Sequence, residues 1–231
     1  MNITILQLIE GAKKAKGLTV IIDVFRAFSM EAYMMAQGAE KVIPVGDVQL
    51  AYQLKKENPS IVLAGERHGK ILPGFDTGNS PWELSQIDVK GKTVVHTTSA
   101  GTQGIANAIQ ADEILGGSLV TARAIAKYIK QSGAEEVSLV CMGLEALAET
   151  EEDTLCAEYI KSLLLGTELD IEKGIELLKV TSGAKFFDPS QNDVFPEPDF
   201  GMCTEVDKFN FVLRLKQSPD GLHYMEKYEL E

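Results

Sequence analysis

The segment LTVIIDV, residues 18–24, is a run of aliphatic and β-branched residues that ends in an aspartate followed by a valine. Five similar runs follow it along the chain, at 41–45 (KVIPV), 61–65 (IVLAG), 93–97 (TVVHT), 113–117 (EILGG) and 136–143 (EVSLVCMG). Short, continuously apolar runs are typical of strands that are buried on both faces of a parallel sheet. The segment at 18–24 therefore predicts one strand of a mostly parallel α/β sheet.

The stretches between these runs have the spacing of helices, which favours a sheet covered by helices on both faces. The predicted helices lie at 29–37, 48–57, 101–110 and 118–131. After residue 150 the pattern changes to two consecutive helices, EEDTLCAEYIKSLLLG and DIEKGIELLKVTSG, a loop rich in Pro and Asp, and a late strand around KFNFVLRL. Because no linker or repeat interrupts the chain, we expect one domain over 1–231, with a helical subdomain at 150–190 as the alternative.

The composition is that of a globular protein. Hydrophobic residues make up 45% and charged residues 24% of the sequence, which lies outside the range of disordered chains. A formal net charge of −12 argues against nucleic acid as a partner, because such binding depends on many Lys and Arg contacts. No segment has the apolar length that spans a bilayer, and the apolar residues at the N-terminus precede the basic ones, the reverse of a secretory signal. We expect a cytoplasmic protein without a membrane partner.

The cysteines Cys141, Cys156 and Cys203 are widely spaced and form no CxxC pair. Neither a disulfide framework nor a zinc site is indicated by this spacing. We expect all three to be small buried side chains.

Polar residues follow several predicted strands, where the functional loops of open α/β sheets lie. Asp23 and Arg26 follow the first run, and their spacing suits one metal-ligating carboxylate and one phosphate-binding guanidinium. Glu66 and Arg67 follow the third. A structural Asp–Arg ion pair is the alternative interpretation of the first of these motifs.

The segment TTSAGTQG, 97–104, follows a strand and opens a helix. Its backbone N–H groups and the hydroxyls of Thr97, Thr98, Ser99 and Thr102 could bind an anion at the positive end of the helix dipole. The same residues could equally cap the helix. The sequence leaves both interpretations open.

Two further segments carry oxygen ligands. The long loop GERHGKILPGFDTGNSPWEL, 65–84, contains Asp76, Asn79 and Ser80, and a purely structural loop is its alternative interpretation. The acidic run at 151–153, which ends in Asp153, opens a predicted helix, where acidic residues also stabilise the helix dipole.

Taken in order, IDVFRAFS, LAGERHG, GFDTGNSPWE, HTTSAGT, GGSLVTA, LVCMG and EEDTLCAEYI resemble the motif series of the 2-phosphosulfolactate phosphatases of coenzyme M biosynthesis. The resemblance runs from about residue 18 to about residue 162 and continues more weakly in PDFGMCTEVD. It implies a three-layer α/β/α fold, often dimeric, and magnesium-dependent hydrolysis of 2-phospho-3-sulfolactate to sulfolactate and phosphate. Two departures stand out: the family's TTNGT is the longer TTSAGT here, and Phe25 replaces a leucine. We expect the longer loop to affect substrate choice.

The resemblance and the residue chemistry together define a predicted site. Mg²⁺, which prefers octahedral oxygen ligands and retains water, would be held among Asp23, Glu66, Asp76 and Asp153. The predicted catalytic residues are Asp23, Arg26, Glu66, Arg67 and Asp76. The predicted substrate-binding residues are Asn79, Ser80, Thr97, Thr98, Ser99, Gly101 and Thr102.

Two alternatives to this function remain at the level of sequence. One is the same chemistry on another small phospho-acid. The other is a nonenzymatic protein that binds a phosphorylated metabolite. Carboxylates among anion donors favour the enzyme, because a simple anion binder would suffer repulsion from them unless a cation intervened.

Overall fold

The structure, a computed structural model, describes residues 1–230 and contains one mixed sheet within them. Its strands are β1 Asn2–Gln7, β2 Gly17–Ile22, β3 Lys41–Pro44, β4 Val62–Arg67, β5 Lys70–Ile71, β6 Thr93–Thr97, β7 Ala111–Gly117, β8 Glu136–Cys141, β9 Phe211–Gln217 and β10 His223–Glu229. The six apolar runs and the late strand are therefore confirmed as strands.

The helices of the same residues are α1 Leu8–Lys14, α2 Ala27–Ala36, α3 Val48–Glu57, α4 Pro81–Leu84, α5 Gly101–Asn107, α6 Ala122–Ser132, α7 Glu151–Leu165, α8 Ile171–Leu178 and α9 Glu197–Thr204. Short 3-10 turns occupy Leu119–Thr121, Ala184–Phe187 and Pro189–Gln191. The predicted helices between the strands and after residue 150 are present, with ends shifted by a few residues. None of the helices in residues 1–230 is both long enough and apolar enough to cross a bilayer.

The strand order is β1-β8-β2-β7-β9-β10-β3-β6-β4-β5. Strands β1, β8, β2 and β7 are parallel to one another, and so are β3, β6 and β4. The hairpin β9–β10 joins the two groups through three antiparallel pairings, so the groups run in opposite directions along the ladder. Sheet twist accumulates roughly 20–25° per strand, or about 100–125° over the five steps from β2 to β6. This rotation brings the carboxyl ends of the two groups toward each other.

Helices cover both faces of β2. Its side chains alternate between two buried clusters, because successive residues of a strand point to opposite faces. Ile21 packs in the cluster that contains α2 residues such as Phe28, whereas Val20 and Ile22 pack in the cluster that contains Ile125 of α6 and Ile160 of α7. Full burial of each such side chain contributes roughly 1.5–3 kcal/mol. The three-layer α/β/α architecture is thus confirmed. The three cysteines are free and buried, as expected.

Besides the two-residue β5, two strands were not predicted. β1 lies at the edge of the sheet, where its pairing partner in the described residues is β8. Apolar and polar residues alternate in its sequence, NITILQ. β10 has the polar sequence HYMEKYE, with only Met225 buried in the strand. Both lack the continuous apolar run that marks the central parallel strands.

Candidate active site

A cavity of about 310 Å³ lies at the carboxyl ends of β2, β4, β6 and β8. Its volume is at the lower end of the range for small-molecule sites, about 300–1,000 Å³. Four carboxylates line it, those of Asp23, Glu66, Glu145 and Glu152, together with the cationic side chains of Arg26 and Lys185. The site therefore combines cation-binding and anion-binding chemistry in a small volume.

Asp23 follows β2 and lies at the bottom of this cavity, only 6% exposed. Its Oδ1 accepts a hydrogen bond of 3.1 Å from the N–H of Ala27 at the start of α2. Burial, aided by the nearby charges of Glu66 and Glu152, raises the pKa of Asp23 to about 6. A Cβ at Gly101 would lie 3.0 Å from Oδ2 of Asp23 and 2.8 Å from Cβ of Ala27, so glycine allows the loop after β6 to approach this carboxylate.

The acidic run at the start of α7 contributes Glu152 to the cavity and does not contribute Asp153. Glu152 is 3% exposed, and its Oε2 is buried without a hydrogen-bond partner in the described residues. Asp153 instead accepts hydrogen bonds of 2.8 Å from the N–H groups of Val24 and Gly143, and so joins the loops after β2 and β8. The structure thus places Glu152, and not Asp153, in the lining of the cavity, because successive residues of a helix point about 100° apart. A role of Asp153 as a metal ligand stays a prediction.

Burial also raises the pKa of Asp153 well above its usual range, and the charges of Glu152 and Asp23 add to the effect. Three buried carboxyl groups therefore lie near one another at the junction of β2, β8 and α7. Such a cluster is unfavourable when it is fully ionised, unless a cation lies close to it.

Glu66 links the loops after β4 and β6. Its Oε1 accepts a hydrogen bond of 2.8 Å from the N–H of Ser99, and its Oε2 accepts bonds from the Ser99 hydroxyl at 3.2 Å and from the N–H of Gly69 at 2.7 Å. The longer TTSAGT loop is thus tied directly to a cavity carboxylate.

The TTSAGT loop is held mainly by its own hydrogen bonds. Thr98 N–H donates to Oγ1 of Thr102 at 3.2 Å, and Thr102 N–H donates to Oγ1 of Thr98 at 3.3 Å. These bonds, with the one from Ser99 to Glu66, satisfy three amides inside the protein. The capping interpretation therefore describes Thr98 and Thr102, while Thr98, Ser99 and Ala100 still line the cavity. Gly101 begins α5 and does not line it.

The side chain of Arg26 is 3% exposed and lies between the cavity and α9. Its Nη1 is 2.7 Å from Oδ2 of Asp199, and its guanidinium carbon lies 5.0 Å from the centre of the Phe195 ring. Oδ1 of Asp199 accepts hydrogen bonds of 2.9 Å from the hydroxyl of Ser80 and the N–H of Trp82. Ser80 thus caps α4 and anchors Asp199. It does not line the cavity, although it was predicted to bind substrate.

Asn79 does line the cavity, and a buried histidine holds it. Nε2 of His96 is 3.2 Å from Oδ1 of Asn79, and Nδ1 of His96 is 2.8 Å from Oε1 of Glu31. His96 and Glu31 are fully buried. No pattern in the sequence indicates this network, apart from the presence of His96 in a predicted strand.

Lys185 lies on the 3-10 turn Ala184–Phe187 and was not predicted as a site residue. Its Nζ lies 5.7, 5.6 and 4.9 Å from the ring centres of Phe25, Phe186 and Phe195. Burial, with some repulsion from Arg26, lowers its pKa, whereas the charge of Glu152 opposes this shift. The ammonium group has no hydrogen bond or ion pair within the described residues.

The mouth of the cavity is closed on one side by His68 and Glu145. Nδ1 of His68 lies 2.8 Å from Oε1 of Glu145, although the His68 side chain is 80% exposed. This contact joins the β4–β5 turn to the loop after β8.

Two predicted catalytic residues lie outside the cavity. Oδ2 of Asp76 accepts hydrogen bonds from the N–H of Leu63 at 2.8 Å and from Nζ of Lys55 at 3.1 Å, with the carboxylate 42% exposed. Arg67 donates to the carbonyls of Glu66 and Gly46 and to Oγ1 of Thr97. Asp76, Arg67 and Thr97 therefore have structural contacts, and the structure does not bring them to the cavity; this corrects their prediction as site residues.

The donor set of the cavity fits a hard cation. Asp23 and Glu152 are buried carboxylates, and one oxygen of Glu152 has no hydrogen-bond partner within residues 1–230. Within residues 1–230, no three His, Cys, Asp or Glu side chains converge closely enough to hold a metal by themselves. Mg²⁺ commonly uses only one or two carboxylates and completes its shell with water and substrate oxygens, so this set is sufficient for it.

The fold and the cavity are those of an α/β enzyme that acts on a small ligand. The family model for 2-phosphosulpholactate phosphatase matches residues 3–218 of the chain. The chain belongs to this family, and is thereby a phosphoric monoester hydrolase.

Curated relatives agree with this assignment. A protein from Caldanaerobacter subterraneus subsp. tengcongensis is 33% identical over 219 residues, which cover 85% of this chain and 87% of the relative. One from Bacillus subtilis is 30% identical over 202 residues, with 87% of each chain covered. One from Thermotoga maritima is 37% identical over 144 residues, which cover 62% of this chain and 61% of the relative. Each of the three is named a probable 2-phosphosulfolactate phosphatase.

Proposed function

We propose that this chain hydrolyses 2-phospho-3-sulfolactate to sulfolactate and phosphate in a reaction that depends on Mg²⁺. The names of its relatives support the substrate. One observation supports the metal: among the described residues, Glu152 has a buried oxygen without a hydrogen-bond partner, in a cavity that Asp23 and Glu66 also line. Without a cation, this excess of carboxylates would repel a phosphate ester.

Asp23 and Glu152 would hold the metal, with Glu66 beside them. When bound, Mg²⁺ supplies positive charge that polarises phosphoryl oxygens and makes water a better nucleophile. The oxygen of a water molecule forms a bond to phosphorus, the ester P–O bond breaks, and the leaving oxygen takes up a proton. The charge of Arg26 offsets negative charge on the substrate throughout this step.

The remaining residues of the cavity orient the ester. The amide of Asn79 is fixed by His96, so it would offer a positioned hydrogen-bond group to a substrate oxygen. The side chains of Thr98 and Ser99 border the same space. Positioning of this kind contributes much of the rate in phosphoryl transfer. A homodimer and a cytoplasmic location stay predictions that accompany this proposal.

The experiment is a phosphate-release assay on 2-phospho-3-sulfolactate and on other small phospho-acids, each with Mg²⁺ and with excess chelator. We expect the highest kcat/KM for 2-phospho-3-sulfolactate with Mg²⁺. A preference for another phospho-acid would overturn the substrate, and binding without phosphate release under every metal condition would overturn the enzymatic proposal.

A further inference from the structure

The cationic end of the cavity is built on one phenyl ring. The guanidinium carbon of Arg26 lies 5.0 Å from the centre of the Phe195 ring, and Nζ of Lys185 lies 4.9 Å from the same centre. Two cations beside one ring repel each other, and attraction to the ring face offsets only part of that repulsion. An anion between them would relieve it.

The two cations differ in how their charge is balanced. Arg26 is paired with Asp199 at 2.7 Å, behind the cavity. Lys185 contacts three aromatic rings and has no carboxylate within 4 Å in residues 1–230. Its ammonium group lies against Phe25, Phe186 and Phe195, while its three N–H donors have no acceptor within residues 1–230. This is the arrangement of a side chain whose hydrogen-bond acceptor comes from a ligand.

Lys185 lines the same cavity as Asp23, Glu66 and Glu152. The phosphoryl group must reach the carboxylates that would hold the metal. A short substrate with a second acid group two or three bonds from the phosphate would then present that group to the cationic end.

We propose that Lys185 binds the non-reacting acid group of the substrate, a carboxylate or a sulfonate, and thereby selects phosphate esters that carry such a group. This inference rests on the proposed function and adds a specificity-determining residue to it. Phe195 and Phe25 lie against the ammonium, and Arg26, beside the same Phe195 ring, contributes further positive charge.

The test compares the wild type with Lys185→Met, which keeps the aliphatic stem against the rings and removes the charge. Three esters of one secondary alcohol skeleton serve as substrates: glycerol 2-phosphate with no further acid group, 2-phosphoglycerate with a carboxylate, and 2-phospho-3-sulfolactate with a carboxylate and a sulfonate. Lys179→Met, at an exposed lysine paired with Glu176, is the matched control.

We expect Lys185→Met to lower kcat/KM for 2-phospho-3-sulfolactate about tenfold to hundredfold, the usual range for one hydrogen bond to a charged group, and to change glycerol 2-phosphate less than about threefold. A similar loss on 2-phosphoglycerate would show that Lys185 binds the carboxylate. No loss on 2-phosphoglycerate would show that it binds the sulfonate. Equal losses on all three esters, or no loss on any, overturn the proposal.

Binding of the product 3-sulfolactate, measured by isothermal titration calorimetry with Mg²⁺, separates this inference from the proposed function. We expect Kd to rise about tenfold or more in Lys185→Met and to stay unchanged in Lys179→Met. Unchanged binding by Lys185→Met, or no binding by the wild type, overturns the role of Lys185. A wild type that binds 3-sulfolactate but releases no phosphate from the ester contradicts the proposed function and leaves the binding result for Lys185 standing.

Discussion

Nη1 of Arg26 lies 2.7 Å from Oδ2 of Asp199, and the two side chains are 3% and 0% exposed. The same guanidinium borders the cavity. A structural ion pair and a substrate-binding arginine were alternative interpretations of the sequence around Asp23 and Arg26. In the structure Arg26 forms an ion pair with Asp199 and also lines the cavity, so the fold holds it in position there. Its binding of substrate stays a prediction.

Replacing Asp199 by Ala should destabilise the protein strongly. The change leaves the Arg26 charge buried without its partner, and the Ser80 hydroxyl and the Trp82 N–H lose their acceptor. We expect the free energy of unfolding, measured by urea denaturation, to fall by about 3–5 kcal/mol. Glu176→Ala, at an exposed pair, should change it little. A loss in Asp199→Ala no larger than that of the control would mean that the pair does not stabilise the fold.

Replacing Arg26 by Lys should affect both stability and turnover. Lysine keeps the charge, but it cannot present the planar fork that donates to Asp199 and to an oxyanion together. We expect kcat/KM to fall about tenfold to hundredfold and the Tm to fall as well. A variant with a lower Tm and normal kcat/KM would assign Arg26 to the fold alone.

Replacing Asp76 by Ala should leave catalysis nearly intact. Its carboxylate contacts Lys55 and the N–H of Leu63, outside the cavity. Because the pair with Lys55 is partly exposed, we expect a loss of stability of about 1 kcal/mol and a change in kcat of less than about threefold. A fall in kcat of several orders of magnitude at normal stability would support the prediction that Asp76 is a metal ligand.

The stability of the metal-free protein should depend on pH through Asp23. Its pKa of about 6 in the folded protein is raised above the ordinary value of 3.8. The stabilisation that this carboxyl group contributes is therefore fully present below about pH 4 and is lost as the pH rises through about 6. In excess chelator, the Tm of the wild type should fall more between pH 4 and 7 than that of Asp23→Asn, which cannot ionise. Parallel curves for the two proteins would contradict this assignment.

Much of the fold could be predicted from the sequence, because the parallel strands of each half are buried on both faces and so consist of continuous apolar runs. LTVIIDV and TVVHT are examples, and both end beside the cavity. β1 and β10 escaped prediction because an edge strand and a polar hairpin strand need no such run. The reversal of direction between the two halves of the sheet depends on β10, and it could not be inferred without that strand.

Asn79, from the long loop at 65–84, was predicted and lines the cavity, and the other predicted residues that line it lie at or just after the end of a strand. Asp23, Arg26 and Glu66 were found in this way, and all three line the cavity. Lys185 and Asp199 lie in the irregular C-terminal part, far along the chain from their contacts, and local pattern does not reveal such distant pairs. Glu152 was missed by one residue in favour of Asp153, because sequence alone does not say which side of a helix faces a cavity.

In the function proposed here, carboxylates at the carboxyl end of β2 and the start of α7 form a magnesium-dependent phosphatase site. The most direct measurement is the rate of phosphate release from 2-phospho-3-sulfolactate as Mg²⁺ is titrated into chelator-treated wild type and Asp23→Asn. We expect no turnover in chelator, saturable recovery by the wild type, and a rate at least about a hundredfold lower in Asp23→Asn at all Mg²⁺ concentrations. Full turnover in excess chelator, or recovery of Asp23→Asn to the wild-type rate, would contradict it.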